Sequence, residues 1–222
     1  MAFADVLAAS VHDIKNSIAM TMSTLDALLD DPGTQVADRD KLHHVQLEAR
    51  RANHNLVQLL ALYKLNKGQL AANIVENSVE EFIEELKAEN GPLASAMGIE
   101  LDCHCDDMLM AYFDENLVRG VINSTVGNAK RYTRQRILLS AVEEDGYVVF
   151  RVEDDGAGYP PAMLESSTAE DIASDFKNGR TQLGLVFAAE IAQIHRAGDR
   201  HGFIHLRNGH TLPGGCFELW LP

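Results

Sequence analysis

Positions along the first 66 residues repeat at alternating spacings of four and three. Over residues 3–30 they are Leu7, Val11, Ile14, Ile18, Thr21, Leu25 and Leu28; over residues 38–66 they are Leu42, Val45, Ala49, Ala52, Leu56, Leu59 and Tyr63. A 3-4 repeat predicts two helices with bundle seams rather than one surface helix. Asp31-Pro32-Gly33 ends the first helix, and Asp38 is a candidate N-cap for the second. Two such helices bury too little alone. The hairpin is therefore expected to pair with its twin in a dimeric four-helix bundle, although a plain helical dimerisation stalk would carry the same pattern.

From about Gly68 the periodicity changes. Residues Ser78 to Ala96 read as a helix, and Ile99-Glu-Leu-Asp-Cys103 alternates like a strand. Asp114 is placed to cap a helix with Leu117, Val118, Val121 and Ile122 on its inner face. Arg136–Glu143 and Tyr147–Glu153 alternate around Glu144-Asp145-Gly146, a hairpin signal. A helix is predicted over Leu183–His195 and strands over 202–207 and 215–221. Helices grouped with a mainly antiparallel sheet indicate an α+β domain. The expected division is 1–67 for the helical hairpin and 68–222 for the layered domain.

Composition narrows the function. The chain has 222 residues, 46% hydrophobic and 23% charged, as in ordinary globular proteins. Its net charge of -14 argues against a nucleic-acid surface, which needs clustered Lys and Arg. No apolar run approaches the roughly 18 residues that cross a bilayer, and no basic secretory n-region opens the chain. Three cysteines make no disulfide framework. Cys103-His104-Cys105 invites a zinc reading but lacks a second ligand pair, so buried free thiols are the plainer one. A cytoplasmic location without membrane contact is expected.

Three short stretches carry candidate chemistry. Val11-His12-Asp13-Ile14-Lys15-Asn16 places His12 beside the apolar seam, facing outward. By itself His12 would be a solvated side chain. With Asp13 adjacent, its imidazole can be held in one tautomer, freeing the other nitrogen as a nucleophile. Asn16 lies one turn along on the same face, where an amide can position a water. Downstream, Asn128-Ala-Lys-Arg-Tyr-Thr133 closes a helix, and its basic residues also suit a helix C-terminus. Asp154-Asp-Gly-Ala-Gly158 follows at the end of a strand; a bare Asp-x-Gly-x-Gly is commonly only a turn.

In this order and at these distances the stretches resemble the H-box, N-box and G1-box of a two-component sensor histidine kinase core, and the resemblance spans nearly the whole chain. It implies a GHKL (Bergerat) ATP-binding α/β sandwich behind a phosphotransfer hairpin. His12 would then be the phosphoacceptor, Asp13 its activator and Asn16 the phosphatase residue. Asn128 would reach Mg²⁺ on ATP, with Arg131 and Tyr132 near phosphate and ribose, and Asp154 would accept from the adenine amine beside Gly156 and Gly158. Two departures stand out. The family usually places proline where this chain has Ser17. Its Gly-x-Gly-Leu-Gly-Leu run is here Arg180-Thr-Gln182-Leu-Gly184-Leu185, keeping Gly184, with Arg180 or Lys177 placed to supply charge in exchange. The segment between Pro160 and Gly179 corresponds to the lid. The implied partners are a second copy, a response-regulator receiver domain and a separate sensor protein. Two other activities fit the same boxes less fully: a phosphotransferase or regulator phosphatase with a degenerate nucleotide domain, and an anti-sigma-type binding module.

Overall fold

The computed structural model describes residues 14, 18, 20–25, 39–164 and 183–222. His12, Asp13, Asn16, Ser17, the Asp31-Pro32-Gly33 break, the Asp38 cap, residues 165–179 of the lid with Lys177, and Arg180 and Gln182 lie outside the described residues. The chain divides into two compact units, Met1–Leu70 and Ala71–Pro222.

In the first unit, residues 20–25 are helical and helix α1 spans Arg39–Asn66. The 3-4 stripe on α1 splits into two heptad-spaced sets. Ala49, Leu56 and Tyr63 are half-buried within the chain. Val45, Ala52 and Leu59 are exposed, Val45 by 53% and Leu59 by 47%. Gln58, off the seam, is buried instead.

The second unit is layered. Its elements are β1 (Val75–Ser78), α2 (Val79–Ala96), β2 (Glu100–Cys105), β3 (Met110–Phe113), α3 (Glu115–Tyr132), β4 (Arg136–Glu144) and β5 (Tyr147–Asp154). There follow α4 (Pro161–Leu164), α5 (Leu183–Ile194), β6 (Arg196–Ala197), β7 (Arg200–His201), β8 (Phe203–Asn208) and β9 (Gly215–Leu221). Five strands form one sheet in the order β2-β4-β5-β9-β8, parallel only between β2 and β4. β1 pairs with β3, and β6 with β7, as two small antiparallel ribbons.

Local chemistry sets the boundaries. Ser78, expected inside the helix, is its cap: the hydroxyl accepts from the Glu81 amide. Asp114 caps α3 through Oδ1, which accepts from the Leu117 amide at 3.0 Å, while Oδ2 accepts from Asn73 N at 2.7 Å. The β4–β5 turn has Asp145 and Gly146 both at positive φ, a two-residue hairpin that follows strand twist. β1, β3 and the β6–β7 ribbon were not expected; two to four residues give alternation too little length to register.

The apolar core lies between the sheet and α2, α3 and α5. Phe82, Phe113 and Phe150 meet edge to face with centroids 5.1–5.7 Å apart. Buried His195 links α5 to the cap of α3. Its Nδ1 donates to the Ile191 carbonyl at 2.7 Å and its Nε2 accepts from the Asp114 amide at 3.0 Å. Burial lowers its pKa, consistent with the neutral ring this pairing requires.

Strand β5 is covered on both faces. It is central, and its residues from Val148 to Asp154 are all buried. Val148, Phe150 and Val152 face the helices; Val149, Arg151 and Glu153 face the other way. There Arg151 bonds Glu218 at 2.9 Å and Glu144 at 2.6 Å. Arg207 and His205 close on the same Glu218 carboxylate. Polar alternation along β5 therefore marks buried ion pairs rather than water.

Candidate ATP-binding site

Helix α3, the end of β5 and the start of α5 converge on a cavity of about 340 Å³. Ser124, Asn128 and Tyr132 fall at i, i+4 and i+8 on one stripe of α3 and line it together with Thr125. Asp154, Gly158 and Tyr159 form a second wall; Gly184 and Leu185, at the N-terminus of α5, form a third. Thus Asn128, Tyr132, Asp154, Gly158 and Gly184 come together as the boxes imply. Arg131 is exposed and is not part of the lining. Gly156 supports the wall from behind.

Asp154 is the last residue of β5 and is buried. Its Oδ1 accepts from Gly156 N at 2.7 Å, and its main-chain carbonyl from Gly214 N at 2.9 Å. Burial raises its pKa, against the lowering by amide hydrogen bonds from Gly156 and Gly215. The neighbouring carboxylate faces the opposite balance. Asp155 Oδ1 accepts from the Thr133 hydroxyl at 2.6 Å and from the amides of Arg134, Gln135 and Arg136 at 2.8–3.1 Å. Burial would raise this carboxyl, but those four donors hold it well below the ordinary range. Asp155 therefore ties the turn after β5 to the end of α3, fixing one wall against another.

Two glycines are required by that closeness. A Cβ on Gly156 would overlap the Tyr132 carbonyl, and Gly158 has φ of +80° with the Asn208 amide against it. Asn208, at the end of β8, uses its side chain as a stretch of backbone. Its Oδ1 accepts from Tyr159 N at 2.7 Å and its Nδ2 donates to Tyr159 O at 2.9 Å. Tyr159 is held in the cavity wall, where burial, with Asp154 beside it, pushes its phenol well above the usual range. Lys130, one of the basic residues ending α3, is committed elsewhere: its Nζ donates to Asn90 Oδ1 at 2.9 Å.

Sequence reasoning missed Asp155, Tyr159, Asn208 and Gly214. A weak signal existed for two. Consecutive Asp154-Asp155 at a strand end point to different sides, and Pro213-Gly214-Gly215 before an alternating strand marks a tight approach.

Comparison with known proteins agrees with this geometry. Residues 113–222 match the family described as histidine kinase-, DNA gyrase B-, and HSP90-like ATPase. Sensor histidine kinase YkoH of Bacillus subtilis is 25% identical over 83% of this chain and 41% of its own length. Sensor protein CitS of Halalkalibacterium halodurans is 25% identical over 99% of this chain and 37% of its own. The chain thus spans about two fifths of these relatives. Among solved structures, the catalytic domain of histidine kinase ThkA superposes with a TM-score of 0.55 at 23% identity, covering 68% of this chain and 96% of that one. Full-length ShkA in complex with AMPPNP gives 0.62 at 20% identity, covering 97% and 44%. Fold, cavity and relatives agree: the chain belongs to the sensor histidine kinase family, with its ATPase domain in residues 113–222.

Proposed function

We propose that the chain is a two-component histidine kinase core that phosphorylates His12 from ATP and passes the phosphoryl group to a response-regulator aspartate. The observation that carries this reading is the convergence of Asn128, Asp154, Gly158 and Gly184 on one cavity. In that cavity Asp154 accepts from the adenine amine, and Tyr159 and Leu185 supply apolar contact. The α5 N-terminus offers amides and a positive dipole end to phosphate. Asn128 presents an amide oxygen, the hard-donor type Mg²⁺ takes alongside phosphate oxygens; the ion would neutralise the phosphates. Arg131 and Arg180 would add charge at the rim.

At His12 the phosphorus–oxygen bond to ADP breaks as a phosphorus–nitrogen bond forms, with Asp13 holding the ring and taking its proton. Asn16 positions water for hydrolysis of the regulator's aspartyl phosphate, so the protein also acts as a phosphatase. The exposed Val45, Ala52 and Leu59, heptad-spaced on α1, support pairing with a second copy, since a dimeric bundle buries a stripe that a single hairpin leaves in water.

The deciding experiment combines titration with labelling. Wild type is expected to bind ATP·Mg and acquire acid-labile, base-stable label. Asp154→Asn should lose binding, because an amide placed against the adenine amine can present a donor to a donor. His12→Ala should lose label while keeping ATP binding. Equal ATP titrations for wild type and Asp154→Asn would overturn the kinase reading and leave phosphotransfer from a regulator as the activity of His12.

A further inference from the structure

On the side of the sheet away from the helices, Glu153 of β5 and Cys216 of β9 are cross-strand partners. Both are fully buried, while His210 from the β8–β9 loop reaches them with a side chain one-third exposed. One ligand atom from each, a carboxylate oxygen, an imidazole nitrogen and the thiol sulfur, lies within 4.8 Å of the other two. The geometry points to a binding site for a zinc-type transition-metal ion at Glu153, His210 and Cys216, behind the nucleotide wall and separate from its magnesium.

The donor set selects the ion. Thiolate, imidazole and carboxylate are the three zinc ligand types, and three protein ligands leave a fourth tetrahedral position for water. Magnesium and calcium demand oxygen shells that Cys216 and His210 do not supply. The carboxylate is already oriented: Glu153 Oε2 accepts from the amides of Thr211 at 2.7 Å and Leu212 at 3.0 Å. Oε1 is left 2.9 Å from His210 Nδ1, and a cation between them takes the place of the shared proton. Arg207 pairs across the strand with Cys216, and its guanidinium already lies in hydrogen-bond reach of the sulfur. A metal-bound thiolate would be a stronger acceptor for it. The exposed edge of His210 is the entry path.

The Cys103-His104-Cys105 stretch, the zinc candidate in the sequence, does not converge in this way. On β2 its two thiols share one face and His104 takes the other. Cys103 instead donates to Glu84 and Cys105 to the Asp106 carbonyl.

The test uses the full chain, chelator-stripped and free of nucleotide, so its outcome is independent of the kinase reading. Zinc titration followed by elemental analysis should return one retained equivalent. Cobalt(II) in its place should give a thiolate charge-transfer band that Cys216→Ser removes. His210→Ala should weaken zinc binding by at least about 100-fold, since an inner ligand outweighs the 10–100-fold of outer-shell changes. If Cys216→Ser fails to fold, His210→Ala, at a part-exposed side chain, still decides. No retained zinc, retention unaffected by His210→Ala, or loss only on replacing Cys103 and Cys105 would each overturn the assignment.

Discussion

The two faces of the five-stranded sheet are made by alternate residues of the same strands, yet they are held by different forces. Toward the helices, Phe150 meets Phe82 and Phe113 among Leu139, Phe217 and Leu219, all buried and apolar. One residue along the strand and on the other face, Arg151 is 4% exposed and Glu218 opposite it 2%, their charges matched by Glu144 and Arg207, with His205 in hydrogen-bond contact with Glu218. The apolar face depends on shape and volume. The ionic face depends on every partner being present and charged, because a lone buried charge is costly. Period two thus tells which side a residue takes, not whether that side is wet.

The largest separation comes from the apolar face. Phe150→Ala removes two of the three edge-to-face contacts and leaves a cavity, costing about 3–5 kcal/mol. Urea unfolding should show a lower midpoint with unchanged slope. A change below about 1 kcal/mol would mean that the helix layer collapses onto the gap.

The ionic face should respond to single and paired changes differently. Glu218→Leu leaves Arg151 and Arg207 without their shared carboxylate, at a cost of about 3 kcal/mol. Adding Arg151→Met should recover part of that loss, and a double-mutant cycle measures the coupling. Additive losses would show that Arg151 and Glu218 act independently.

The smallest expected effect is a change in shape with pH. Burial alone would raise the Glu218 carboxyl, but Arg151, His205, Trp220 and Arg207 hold it below its usual value, and Asp155 is likewise depressed. A depressed carboxylate contributes stability above its unfolded pKa, about 4, and loses it as pH falls through the folded value. Stability measured between pH 5 and 2.5 should therefore fall with acid in wild type and in Phe150→Ala alike. In Glu218→Gln the fall should be shallower. Identical acid profiles for wild type and Glu218→Gln would remove Glu218 from the acid response.

What the sequence revealed follows the same division. Asn128, Asp154 and Gly158 were legible because each sits in a local spacing pattern, and β9 was expected at its observed bounds, 215–221. The supports of the site were not. Asp155 reaches back about 20 residues to amides after α3, and Asn208 holds Tyr159 from 49 residues away. Such pairings leave no periodic trace in one sequence. Glu153, Arg151 and Glu218 went unread for another reason: a charged residue in an alternating strand shows no partner until the residues that pair with it, far along the chain, are known.

The Asn208 clamp also constrains how this protein can be rebuilt. Its amide recognises the main chain of Tyr159, so the clamp itself makes no demand on that side chain, while it fixes the distance of the turn from β8. The glycine turn after β5 and the loop between β8 and β9 consequently travel as one cassette. A chimera that imports a relative's turn while keeping the native loop length would misplace Asp154 by way of Gly214, even with every box intact. Shuffling at this fold should cut outside both loops or exchange them together.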